Sequence, residues 1–183
     1  MIDNDDDPQI VEAFARFGRA IYMANVVEMS LAQTLLQVEF LTPAREKFIK
    51  EKGKNFDPKT FAAEFDAFME KQSKKTKGTL NLRVSQRAEF DEALRKRISD
   101  VTLRRNFLAH DYWRSTAEKF MTKAGRDEMI EELSKDADTF EQLDKDVRTA
   151  TKPVREKLGI NEKALDARVE QNLGKLLLQL KLK

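Results

Sequence analysis

Residues 122–153 read TKAGRDEMIEELSKDADTFEQLDKDVRTATKP, and the periodicity of this stretch decides the fold. Met129, Leu133, Ala137, Phe140, Val147 and Ala150 recur at near-heptad spacing, as they do on helices packed lengthwise in antiparallel bundles. Thr122 precedes the run as N-cap, because a hydroxyl there accepts from an amide of the first turn that has no partner in the helix. Pro153 is expected to bend or end this helix and Gly159 to close the turn. Asn161 then caps an extra C-terminal helix over residues 161–183, rich in leucine on more than one side in its final turns.

The same signals organise the rest of the chain. Asp7-Pro8 reads as an N-cap with proline at the first helical position, and the aspartates before it suit the positive end of the helix dipole. Ile10, Phe14, Phe17, Ile21, Ala24, Leu31, Leu35 and Val38 then predict one long helix to about Leu41. Thr42-Pro43 restarts a short helix that Gly53 stops. Asp57-Pro58 starts another, with Phe61, Phe65 and Phe68 on one stripe. Residues 71–84 read as a loop too short to be a domain linker. Ser85 is expected to cap a helix carrying Phe90, Leu94, Ile98, Val101, Leu108 and Tyr112. The fold class is therefore all-α: an antiparallel bundle of four to five major helices with short additional ones, forming a single domain over 1–183 with a flexible 1–7.

Composition agrees and narrows the chemistry. The chain has 183 residues, 40% hydrophobic and 36% charged, with only six Gly and four Pro, a balance that favours salt-bridged helices over sheets. Its net charge of +2 neither demands nor excludes nucleic acid, so binding would need a local patch. There is no cysteine and only one histidine, which excludes disulfide frameworks, thiolate chemistry and Cys/His zinc sites. There is no Gly-rich phosphate loop or nucleophile elbow, and no metal or cofactor is expected. No apolar run approaches the roughly 20 residues needed to span a bilayer. The acidic N-terminus does not resemble a signal peptide, so the expected location is cytoplasmic, without membrane contact.

The single histidine, His110, follows Arg105 by five positions in Arg105-Asn106-Phe107-Leu108-Ala109-His110-Asp111-Tyr112. One reading is structural: an imidazole near a helix end, with two arginines on the surface. Helix geometry adds a second. Asn106 and His110 share a face one turn apart, so the amide is placed to orient the imidazole. Arg105 points about 140° away from His110, so the two meet on one small substrate only if the helix loosens or a second copy contributes. A symmetric dimer packed through this helix would gather two of each in one cleft.

Arg105-Asn106-x-x-x-His110 resembles the Arg-x4-6-His motif of the HEPN superfamily, including the polar residue after the arginine. The wider run to Trp113, followed by Gly125-Arg126-Asp127-Glu128-Met129-Ile130-Glu131-Glu132-Leu133, is also similar to a group of bacterial HEPN-like proteins of unassigned role. The resemblance implies a helical bundle that dimerises and a metal-independent endoribonuclease of a toxin, phage-defence or stress system. It implies RNA as substrate and Arg105, Asn106 and His110 as the catalytic group.

The chemistry suits those side chains. When the 2′-hydroxyl of RNA attacks the neighbouring phosphate, the step needs a base, an acid and charge stabilisation. Histidine exchanges protons near neutrality. Arginine stays charged and grips phosphate oxygens in a fork. His110 would carry the proton, Arg105 would stabilise the phosphorane, and Asn106 would position one of them. Tyr112 extends the motif to Arg-x4-His-x-Tyr, which is similar to HEPN toxins paired with a nucleotidyltransferase antitoxin that adenylylates the tyrosine. The resemblance thus offers such an antitoxin as partner. Helical phase instead reads Tyr112 as core, and this chain is longer than those compact toxins.

Two further features bear on the site. Glu28 falls in the centre of the first helix's apolar stripe, where a carboxylate needs a partner. Arg104, Arg105 or His110 would make it a residue that sets the guanidinium or the imidazole; Arg16 and Arg19 are alternatives. Arg95, Lys96 and Arg97, with neighbouring Arg83, Arg87, Arg104 and Arg105 and the loop residues Lys71, Lys74, Lys75 and Lys77, form a candidate RNA-binding patch. Glu89, Asp91, Glu92 and Asp100 interleave, so an ordinary mixed-charge face is the other reading. The competing functional class is a HEPN-like module that binds RNA, nucleotide or a partner protein without cutting.

Overall fold

The computed structural model describes residues 7–73, 83–84 and 89–181, and every element among them is helical. In chain order these are α1 (Pro8–Leu36), a π-helical turn (Gln37–Leu41), α2 (Thr42–Lys50), α3 (Pro58–Ser73), α4 (Glu92–His110), two single turns α5 (Tyr112–Ser115) and α6 (Ala117–Phe120), then α7 (Lys123–Leu158) and α8 (Glu162–Lys181). No described helix is long and apolar enough to cross a membrane.

Local chemistry sets the helix ends. The Asp7 carboxylate accepts from the Gln9 amide at 2.9 Å ahead of Pro8, Asp57 caps α3 through the Lys59 and Thr60 amides, and the Thr122 hydroxyl accepts from the Gly125 amide at 3.0 Å. Gly159 ends α7 in the left-handed region at φ 72°, which glycine adopts without steric cost. Asn161 accepts from the Ala164 amide at 3.2 Å and so caps α8.

Several expectations change. Ser85 lies outside the described residues; the cap of α4 is Asp91, whose carboxylate accepts from the Leu94 amide at 2.7 Å, leaving Phe90 just before the helix. The helix breaks at Asp111, so Tyr112 starts α5 instead of extending α4, yet it is fully buried. Pro153 does not end α7; beyond it Arg155 reaches back to the Arg148 carbonyl at 2.7 Å and the Thr151 hydroxyl at 2.6 Å, bracing that turn. The expectation for residues 1–6 and most of the 71–84 loop fall outside the described residues. Asp7 itself is fixed by Arg126 at 3.1 Å.

The core is a three-helix arrangement of α1, α4 and α7. Pairings Arg19–Asp138 and Ser30–Asp144 show α1 and α7 running parallel, not antiparallel. Arg104–Glu132 and Arg97–Asp146 show α4 antiparallel to α7, and Arg105–Glu28 with the Phe17–Tyr112 ring contact shows it antiparallel to α1. On α1 the buried apolar positions are Ala13, Ala20, Ala24, Val27, Leu31 and Leu35, while Phe14 stays half exposed against Trp113 and Phe120. The first half of α1's buried face is therefore made of alanines and not of the phenylalanines. On α7, Thr151 is buried and Ala150 exposed. The corner before α7 is equally tight: a Cβ on Gly125 would lie 2.1 Å from the Lys119 carbonyl oxygen, so only glycine fits.

Candidate functional site

The motif occupies the last turns of α4. Arg105 projects towards α1, where its Nε lies 2.9 Å from Oε1 of Glu28; the two side chains are only 15% and 19% exposed. Its Nη1 donates to Oδ1 of Asn106 at 3.1 Å. Arg105 is thus a partner of Glu28, while Arg16 pairs with Glu12 and Arg19 with Asp138 and Glu141. The guanidinium is thereby fixed on two sides. Asn106 directs its oxygen to the arginine, so of the two groups it was expected to position it engages Arg105.

His110 is the final residue of α4 and is exposed, as is Asn106. The helix remains regular between Arg105 and His110, so the angular offset between them persists within one chain.

Arg104 serves a different purpose. Its Nε and Nη2 bind Asp136 of α7 at 2.8 and 2.6 Å, Nη2 reaches Glu132 at 2.5 Å, and the guanidinium lies 5.1 Å from the Phe107 ring centroid. Burial lowers its pKa, but the hydrogen bonds it donates to Asp136 and Glu132 outweigh that and hold it above its ordinary value. Arg104 therefore joins α4 to α7 and is not available to Glu28.

Tyr112 packs between Phe17, Phe107 and Trp113, and its hydroxyl is buried without a hydrogen-bond partner among the described residues. Burial first, and then the charge of Glu132, push its pKa upward. A modifying enzyme would reach this oxygen only if α5 opened. In the basic stretch, Arg97 turns to Asp146, whereas Arg95 and Lys96 are exposed. Arg83 pairs with Glu39. Lys74, Lys75, Lys77 and Arg87 lie outside the described residues.

Sequence reasoning missed two features. A cavity of about 620 Å³ opens between α2, α3 and the α7–α8 turn, lined by Phe48, Phe56, Phe61, Leu158 and Ile160 among others, with no residue of α4. The π-helical turn beside it positions Phe40 against Phe61, Phe65 and Phe68. The aromatic stripe of α3 was legible; the concavity, which depends on how α2 meets α7, was not. No protein-family model matches the chain, and neither a curated protein nor a solved structure does. The fold and site thus define an all-α bundle with a braced arginine and an exposed histidine on one helix.

Proposed function

We propose that the protein is a metal-independent endoribonuclease of HEPN type, acting as a homodimer in the cytoplasm in a toxin, defence or stress role. The observation that carries this reading is the Glu28–Arg105–Asn106 chain of polar contacts beside an exposed His110. A guanidinium braced through Nε and Nη1 is oriented before substrate arrives, and orientation set in advance is what electrostatic stabilisation of a phosphorane requires. His110, open to solvent at the helix end, is accessible to a phosphodiester. One imidazole cannot readily act as both acid and base in a single step, and a second copy supplies the other. Exposed Arg95 and Lys96, on the same helix, would attract the RNA backbone.

The test is cleavage of single-stranded RNA in the presence of a chelator, comparing wild type with His110→Ala, both shown to be folded. Loss of cleavage on a scale of roughly 10²–10⁴-fold is expected for removal of a proton-transfer group. Equal rates would remove His110 from the reaction.

The second reading, a non-catalytic module that binds RNA, nucleotide or protein, is favoured by the burial of Arg105. A guanidinium committed to Glu28 is also what a purely structural bolt looks like. RNA binding without cleavage would select it.

A further inference from the structure

Half of the twelve phenylalanines lie between Phe40 and Phe68, outside the three-helix core, and none of the six is buried. Phe40 packs on Phe61, Phe65 and Phe68. The cluster continues from Phe61 to Phe56 at 5.8 Å between ring centroids and from Phe56 to Phe48 at 5.3 Å. At this end it stays open: Phe48 and Phe56 leave 46% and 49% of their surface to solvent. Phe48, Phe56 and Phe61 wall the cavity of about 620 Å³, which Leu158 and Ile160 close from the α7–α8 turn. Sites for small molecules span roughly 300–1,000 Å³ and are lined in this way, by aromatic and apolar groups with a few polar ones.

The backbone around the cavity is bent to hold these rings. Lys52 and Gly53 both take left-handed φ values, 52° and 70°. For lysine that conformation is costly, because its Cβ crowds the following carbonyl oxygen, and such residues cluster where ligands are clamped. A Cβ on Gly53 would lie 3.1 Å from Cζ of Phe48, so the glycine also lets that ring rest against the chain. On the other side of the cluster, Phe40 is carried by the π-helical turn, a geometry frequent at functional sites.

Charge selects the occupant. Glu51, Asp57 and Glu64 share the lining with Arg45 and Lys47, three carboxylates to two cations. The faces of the aromatic rings are negative as well, through their quadrupoles. Both terms repel an anion and attract a cation whose hydration is weak enough to be given up. We propose that this cavity binds a small organic cation with an apolar body, a quaternary or N-alkylated ammonium, held by Phe48, Phe56 and Phe61 and by the carboxylates of Glu51 and Glu64. The same charges disfavour phosphate-bearing ligands, RNA included. No residue of α4 lines the cavity, so it is a site separate from Arg105 and His110, and the proposal does not rest on the ribonuclease reading.

Three probes of one shape test it: benzyltrimethylammonium, the uncharged phenyl tert-butyl carbinol, and the anion benzylsulfonate. Each is titrated into the full chain and followed by amide NMR shifts. The ammonium should move amides of residues 44–61 and 158–160, which line the cavity, and leave those of 105–110 in place. It should bind about tenfold more tightly than the carbinol, with the sulfonate weakest. Phe56→Ala, at a half-exposed position outside the core, should weaken the ammonium roughly three- to tenfold with helicity unchanged. Reversing two charges, Glu51→Lys with Glu64→Lys, should invert the order so that the sulfonate binds better than the ammonium. Cavity amides that do not respond to the ammonium, a carbinol or sulfonate that equals it, or an order that survives charge reversal would each overturn the proposal. RNA cleavage enters none of these readouts, so loss of the ribonuclease reading leaves them unchanged.

Discussion

Arg105 and Glu28 form a largely buried ion pair at 2.9 Å that ties the motif helix α4 to α1. Removing one partner leaves the other charge desolvated and uncompensated. Glu28→Ala is therefore expected to lower stability by about 1.5–3 kcal/mol, the range for losing a hydrogen bond to a charged group. Arg105→Ala should cost a similar amount, and the double variant less than the sum, because the two act on one interaction. Urea titrations of the four proteins check this; strict additivity would mean that the pair contributes no coupling.

Gly125 sits where the chain folds back ahead of α7. With 2.1 Å between an added Cβ and the Lys119 carbonyl, Gly125→Ala must displace backbone. Overpacking of this kind costs about 1–3 kcal/mol, which outweighs alanine's advantage of about 0.5–1 kcal/mol inside a helix. A lowered thermal midpoint is expected. Gly18→Ala, on an open helix surface, should raise it, and the contrast of signs separates close approach from helix propensity.

Tyr112 presents the opposite case, a buried hydroxyl with nothing to bond among the described residues. Deleting it in Tyr112→Phe should be neutral or slightly stabilising near pH 7, because no hydrogen bond is broken. The sign at high pH is also fixed. Burial raises the folded-state pKa above the ordinary 10.0, so the unfolded chain loses its proton first. The wild type's stability from this group is present below that value and falls as pH rises beyond it. Tyr112→Phe should lack that alkaline decline. Chemical denaturation between neutral pH and the alkaline range measures it, and identical curves for both proteins would show that the phenol titrates normally.

The bundle was legible because helix signals are local. Asp7-Pro8, Asp57-Pro58, Thr122, Gly159 and Asn161 act on their own first or last turn, and each lies where its chemistry requires. Position in the core was less legible. Hydrophobic periodicity gives weight to Phe14, whereas the positions buried in the first half of α1 are Ala13, Ala20 and Ala24. The parallel course of those helices depends on the path of the chain between them, which periodicity does not record. At the site, a carboxylate in an apolar stripe announced that Glu28 needed a cation, but which of the three candidates answered depended on the rotation of α4. Arg104 was drawn away by Asp136 and Glu132, which in sequence look like ordinary surface carboxylates.

The central claim is that Arg105 and His110 from paired chains act on one phosphodiester. Mixing Arg105→Ala and His110→Ala proteins, each folded and each unable to cut RNA alone, tests it most directly. Subunit exchange should restore a small part of the wild-type cleavage, since a mixed dimer again contains one guanidinium and one imidazole, with water left to replace the second imidazole's proton transfer. A mixture as inactive as its parents, alongside an active wild type, would contradict the shared site.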